Sequence, residues 1–287
     1  MIKKTNLKKI ESRKVRKSLK THTPPDQKKE ELNQLQNIKE VEIVFISGIN
    51  FPHMSRKYFV DLVGDIVRKH KSPFVVTAGH TIAGKYLENE LRYIIAEEKK
   101  IVKAFNKTAE RGEKITFAEE NRESIEHDFI EEKAEALNKF LPKLEIGDRM
   151  VNYHIVIAEK IYDRPLGVLI LKRLKEKRDD VRLFNDPEAK IPINLPGFGE
   201  MRVLVPRRHP WFYENISGLM QRMMKGFVPR TFSPKPPFIV VGCTGTGVTA
   251  PYYKGIPVFT VPTLHKIDEQ KSTENMVGCL VLKLAAK

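Results

Sequence analysis

Phe238-Ile239-Val240-Val241-Gly242-Cys243-Thr244-Gly245-Thr246-Gly247 is an apolar run that stops in a glycine-rich loop. Such a run predicts a buried strand, and the glycines after it predict a sharp turn. Open α/β sheets carry their functional groups on loops at the carboxyl ends of strands. The loop is rich in Gly and Thr, as phosphate-cradling loops are. It lacks the lysine of a P-loop, and no clear helix follows it.

Other stretches end in the same way. Val41 to Ser47 is a compact apolar run that stops at Gly48, and Phe74 to Ala78 stops at Gly79-His80. Between them, Ser55 is placed to cap a helix whose face carries Phe59, Leu62, Val63, Ile66 and Val67. This β-α-β start predicts a parallel sheet with a right-handed crossover. Residues 83–145 read as a helical hairpin inserted after the second strand. Its helices run from Tyr86 to Phe105 and from Phe117 to Phe140, with a charged, solvated face. Strand-like runs resume at Arg149 to Asn152, Leu166 to Leu171 and Met201 to Pro206. Phe238 to Gly242, Ile256 to Pro262 and Met276 to Leu284 follow, and His209 to Phe227 reads as a helix.

The order of these strand ends resembles the calcineurin-like metallophosphoesterases over roughly residues 41–285. The run Gly255-Ile256-Pro257-Val258-Phe259-Thr260-Val261-Pro262-Thr263-Leu264 resembles the terminal strand pair of archaeal and viral members. In that family the strand ends read Asp-x-His, Gly-Asp, Gly-Asn-His-Asp/Glu, a lone histidine, and Gly-His-x-His. Here the corresponding segments are Gly48-Ile49-Asn50, Gly79-His80, Val151-Asn152-Tyr153-His154, loosely His209, and Gly242-Cys243-Thr244-Gly245. The resemblance implies an α/β fold: a metallophosphoesterase-like β-sandwich flanked by helices, with the inserted hairpin and a basic N-terminal arm. It also implies a pocket whose metal ligands are lost. Gly48, Asn50, His80, Asn152, Tyr153, His154, Cys243 and Gly245 would form that remnant pocket. Two divalent ions clamping a phosphoryl group need hard, charged ligands and a bridging carboxylate. Gly48 and Gly245 offer no side chain, and a neutral imidazole at His80 offers one lone pair. The expectation is a pseudoenzyme with no catalytic residue, metal or cofactor. His53, His80, His154 and Cys243 are the residue types that could hold a single zinc ion, although their spacing forms no zinc motif.

Charge points to a partner. The 287-residue chain has a formal net charge of +15. Residues 1–24 hold nine Lys/Arg against one Glu and so supply about half of it. Lys3, Lys4, Lys8, Lys9, Arg13, Lys14, Arg16, Lys17 and Lys20 make an arm with too few apolar residues to order by itself. A dense basic arm binds polyanions by counterion release. Arg207 and Arg208 border the strand-end loops, with Trp211, Phe212 and Tyr213 available for stacking. A second cluster, Lys172, Arg173, Lys175, Lys177 and Arg178, follows the Leu166 run.

The expected organisation is an arm over 1–24, a short helix or linker over 25–40, and the main domain over 41–287. No stretch is apolar for about 18 residues, so no membrane partner is expected. Cys243 and Cys279 are the only cysteines and read as reduced, buried thiols of a cytoplasmic protein. The functional expectation is a nucleic-acid-associated binding or assembly subunit, acting on DNA or ribosomal RNA within a larger protein or ribonucleoprotein assembly. An active phosphodiesterase or nuclease with a rearranged metal site, and a protein-binding scaffold using the hairpin, are the alternatives.

Overall fold

The computed structural model describes residues 40–108, 114–185, 190–195, 199–205, 236–243, 249–253, 255–264 and 278–285. All of these fall in one compact unit, Lys39–Lys287. The arm, the 25–39 linker, Arg207, Arg208, the 209–227 segment and Gly245 lie outside the described residues.

The expected β-α-β start is present. Strand β1 (Glu40–Ile46) leads to helix α1 (Arg56–His70) and then to β2 (Phe74–Ala78). The two strands pair in parallel, with Val44 opposite Val75. Ser55 sits at the helix start in an extended conformation, but its side chain caps nothing. Helix α2 (Gly84–Thr108) and helix α3 (Glu119–Phe140) then form the expected hairpin. It is no separate appendage, because Leu87, Leu91, Phe129, Ala134, Leu137 and Phe140 join the main core.

A short antiparallel pair follows, β3 (Glu145–Ile146) with β4 (Arg149–Met150). Strand β5 (Asn152–Ile157) then leads through a π-helical turn (Glu159–Asp163) into helix α4 (Arg164–Lys177). Leu166 to Leu171, expected as a strand, is therefore helical. Pro165 stands in the first turn, where its missing N–H costs nothing. Leu166, Ile170 and Leu174 are buried at four-residue spacing, as are Gly167 and Leu171. Burial on most sides makes the helix look like an unbroken apolar run.

Strand β6 (Val181–Asn185) completes one edge of the first sheet. Strands β7 (Lys190–Leu195), β8 (Gly199–Leu204), β9 (Ile239–Val241), β10 (Thr249–Tyr253) and β11 (Ile256–Thr260) build the second sheet, in the order β10-β11-β9-β8-β7. Strand β12 (Leu280–Ala285) returns to pair antiparallel with β1, giving the first sheet the order β12-β1-β2-β5-β6.

The fold class is thus mixed α/β, with helices flanking the first sheet. Val44, Ile46, Val75, Tyr153, Ile155 and Ile157 face the helices and share their core. Their alternates Ile43, Phe45, Val76, Ala78 and Val156 are equally buried on the opposite face. Strands buried on both faces read as continuous apolar runs. Among the described residues, no helix is long and apolar enough to cross a membrane.

Candidate functional site

The carboxyl ends of β1, β2, β5, β9 and β11 come together between the two sheets, and Ser47 is the join. Its hydroxyl faces the carbonyls of Val261 at 3.3 Å and Pro262 at 3.0 Å, and it accepts the Cys243 N–H at 3.1 Å. The Ser47 carbonyl accepts the Leu264 N–H at 2.8 Å. One buried side chain therefore ties the first strand to residues more than 190 positions later.

The loops leaving these strands turn sharply. Gly48, Asn50, Gly79, His80 and Cys243 all have φ between +53° and +80°. Four of these are the expected Gly48, Asn50, His80 and Cys243, and the structure brings them together. The Gly48 N–H donates to the Gly79 carbonyl and the Asn50 N–H to the His80 carbonyl, at 3.3 and 3.0 Å. The Cys243 thiol donates to the Ala78 carbonyl at 3.5 Å. Gly242 fits only because it has no side chain. A Cβ there would lie 2.7 Å from both the carbonyl carbon and the Cβ of Ala78, and closer still to the carbonyl oxygen.

Asn152, Tyr153 and His154 are not part of this cluster. β5 pairs in parallel with β2, and Asn152 stands opposite Phe74, at the start of that strand. The six residues of β5 span roughly 16–20 Å, which puts Asn152 and Tyr153 at the far end of the strand from Gly79, with His154 mid-strand opposite Val76. The strand end that reaches the cluster is Ile157-Ala158. Tyr153 is a core residue. Its hydroxyl donates to the Pro142 carbonyl at 2.8 Å, and the Arg178 guanidinium lies over its ring. His154 lies between Phe74 and Phe184, with ring centroids at 4.9 and 5.3 Å, and faces away from the helices. His53 packs edge-on against Tyr86.

Two residues of the turn after β5 complete the cluster. Tyr162 stacks on His80 with ring centroids 4.5 Å apart. Asp163 is fully buried, and its carboxylate accepts backbone N–H groups from two loops, Ile82 at 3.0 Å and Ala158 at 2.6 Å. Burial pushes its carboxyl up to about 6, against the stabilising backbone donors of Ala158, Ile82 and Thr81. Burial likewise pushes the Cys243 thiol upward, and the Asp163 charge adds to this. Burial raises the Tyr162 phenol as well, reinforced by Cys243 and Asp163. Gly84 lets the next helix approach, since a Cβ there would lie 2.4 Å or less from the Asp163 carbonyl group.

Sequence reasoning missed Ser47 and Asp163. An Asp two residues before a proline is a helix-start signal, but the strand reading of Leu166 to Leu171 hid it. Asp163→Ala removes the shared acceptor and strands buried donors at about 1–3 kcal/mol each. Relief of the carboxylate's own burial cost offsets part of that. The expected net loss is about 3 kcal/mol at neutral pH, read as a lower urea midpoint, with Asp163→Asn falling between the two.

These groups do not fit a two-metal centre. A bridging carboxylate needs free oxygens, whereas those of Asp163 are taken by the Ile82 and Ala158 N–H groups. Among the described residues, no group of three or more His, Cys, Asp or Glu is arranged to hold an ion.

The second basic cluster is also changed by its surroundings. Arg173 and Lys177 of α4 pair with Glu131 of α3, the latter at 3.1 Å, and Lys177 also approaches Glu135 at 3.6 Å. Arg178 is buried against Asp180 and donates to the Leu141 carbonyl. Three of the five cations are thus paired within the protein, Arg173 and Lys177 across α3 and α4 and Arg178 with Asp180.

No family model matches the chain, and no curated protein matches it in sequence. Among solved structures, it is similar to a single mutant of Vps29 from Entamoeba histolytica at 10% identity. That match covers 86% of this chain and 87% of the other, with a TM-score of 0.36. A Thermotoga maritima protein solved by solution NMR is similar at 13% identity, covering 84% and 99%, with a TM-score of 0.32. Likenesses this slight decide neither fold nor function.

Proposed function

We propose that this chain is a non-catalytic protein of metallophosphoesterase-like architecture that binds nucleic acid through its basic arm. It works as a cytoplasmic assembly subunit on DNA or RNA. The observation that carries this reading is the concentration of charge, with nine Lys/Arg and one Glu in residues 1–24 of a chain whose net charge is +15. The ion pairs between α3 and α4 engage part of the second basic cluster, which leaves the arm as the densest run of cations in the sequence. The strand-end cluster supports the non-catalytic half of the reading. Among the described residues its one carboxylate, Asp163, is engaged with backbone donors, and no group of three or more His, Cys, Asp or Glu is arranged to hold an ion.

Affinity for a single-stranded RNA or DNA oligomer should fall steeply with salt. Each phosphate contact contributes about 0.7 to 0.9 to the slope of log affinity against log salt. Deleting residues 1–24 should flatten that slope by about four to six. Fluorescence anisotropy over a salt series measures both. An unchanged slope and affinity after deletion refutes the role of the arm. Manganese-dependent turnover of a generic phosphodiester by the purified chain refutes the non-catalytic reading.

A further inference from the structure

Strand β6 closes one edge of the first sheet, with β5 as its neighbour, and it is held unevenly along its length. At its start, Asp180 is buried and pairs with the buried Arg178, and its carbonyl accepts the Tyr153 N–H at 2.7 Å. Arg178 in turn donates to the Leu141 carbonyl. At its end, the side-chain tie among the described residues is an exposed contact of 3.5 Å, from the Asn185 amide to the Glu159 carboxylate. Val181 is fully buried, whereas Arg182 and Asn185 are exposed and Leu183 and Phe184 only partly covered.

The loosely held part of β6 covers His154. Arg182 stands opposite His154 in the parallel register, and Phe184 lies two residues further on, on the same face. The Phe184 ring is 5.3 Å from the imidazole, and Phe74 of β2 closes the other side at 4.9 Å. The imidazole is 5% exposed, and neither ring nitrogen makes a hydrogen bond. Arg182 is the charged group that faces it. On this face β2 presents Phe74 and Val76, and β5 itself presents Asn152 and Val156. From the second sheet, Val205 reaches Gly79, so its alternates Met201 and Val203 point the same way. Glu200 and Arg202 pair with each other on the other face. A proton on His154 would therefore sit between two rings, beside a guanidinium and without an acceptor. An imidazolium in that position needs water, and β6 is the outer strand standing between it and solvent.

We propose that residues 182–185 of β6 form an acid-released latch, closed over a neutral His154 and swinging away from β5 about the Asp180 anchor when the imidazole takes up a proton. Release frees the outer backbone edge of β5 and uncovers Phe74, while the helical core and the cluster around Asp163 stay intact. An open edge beside an aromatic side chain is the kind of surface to which an extended segment adds as a new strand. In the closed state, burial and the Arg182 charge hold the His154 pKa at about 3, whereas the released imidazole titrates at its ordinary 6.5. Each pH unit lower between these values favours release by about tenfold.

Hydrogen exchange of the full-length chain tests the latch, read by mass spectrometry and corrected for the intrinsic pH dependence of amide exchange. From pH 7.5 to pH 4.5, protection of the amides in 181–185 should fall about 100-fold. Protection in β1, lost only with the whole fold, should fall by less than about tenfold. Acid strengthens the Asp163 contribution to global stability and so opposes His154 there, whereas release of β6 leaves Asp163 in place. His154→Leu and the polar but non-titrating His154→Gln should each abolish the fall in 181–185. Equal falls in β6 and β1 overturn the proposal, because His154 would then gain its proton only on global unfolding. A fall in 181–185 that persists in either variant, or none in the parent chain, overturns it as well.

Discussion

Gly242→Ala is expected to yield little or no soluble, folded protein. The added Cβ would overlap the Ala78 carbonyl, and it would stand 2.7 Å from the Ala78 Cβ. Neither group can move alone. Ala78 ends a central strand paired on both sides, and Gly242 donates its own N–H to the Leu204 carbonyl at 2.9 Å. The clash therefore forces the two sheets apart where Ser47 joins them. Overpacking in a rigid core commonly costs about 1–3 kcal/mol, and backbone against backbone lies above that range. A loss of 5 kcal/mol or more matches the total stability of many domains. Soluble yield and thermal melting measure it. Gly278→Ala is the control, because nothing lies within 4 Å of a Cβ there. A Gly242→Ala protein that melts with the parent would show that the sheets do not approach so closely.

His154→Leu is expected to stabilise the protein and to change how acid unfolds it. The imidazole is buried between two aromatic rings, and neither ring nitrogen has a hydrogen-bond partner among the described residues. Leaving buried polar atoms unsatisfied costs about 1–3 kcal/mol, so Leu should recover about 1–2 kcal/mol at neutral pH. The larger effect is with pH. Burial, reinforced by the Arg182 charge, depresses the His154 pKa from 6.5 to about 3. Between those values the unfolded chain takes up a proton that the folded chain refuses. Stability is therefore complete above about pH 6.5 and drains as pH falls toward 3, by about 5 kcal/mol in all.

Asp163 has the opposite sign. Its pKa is raised from 3.8 to about 6, so between those values the folded chain holds the extra proton. That contribution is full below about pH 3.8 and is lost as pH rises through 6. The two residues oppose each other over much of one window. In His154→Leu the Asp163 slope stands alone, and urea midpoints should increase from pH 6 to pH 4 relative to the parent. A parent-like pH profile in the variant would mean that His154 has a proton-accepting partner.

The sequence was most legible where local pattern and global position agree. β1, α1 and β2 are short, strongly periodic or unbroken apolar segments with glycine punctuation, and each appears within a residue or two of expectation. Gly48, Asn50, His80 and Cys243 could be grouped because all directly follow strands. β5 was misplaced because the small β3–β4 pair looks like the start of a strand, which shifted Asn152 to His154 from its beginning to its end. The role of Ser47 left no local trace and that of Asp163 only a helix-start signal, since Val261 lies 214 residues from the one and Ile82 lies 81 residues from the other. Only the folded chain brings such pairs into contact.

The pairing of β1 with β12 also bears on how the chain is made. Glu40 stands opposite Ala285, so the first strand of the sheet acquires its outer neighbour from residues more than 230 positions later in the chain. Folding generally begins at the N-terminal end during synthesis. Here the helical layer can gather on β1, β2 and β5 early, while the free side of β1 waits as an open edge. Contacts so distant along the chain close slowly, and an open apolar edge invites pairing with other chains. A chain cut short before Leu280 would keep that edge permanently, turning an incomplete product into a template for aggregation.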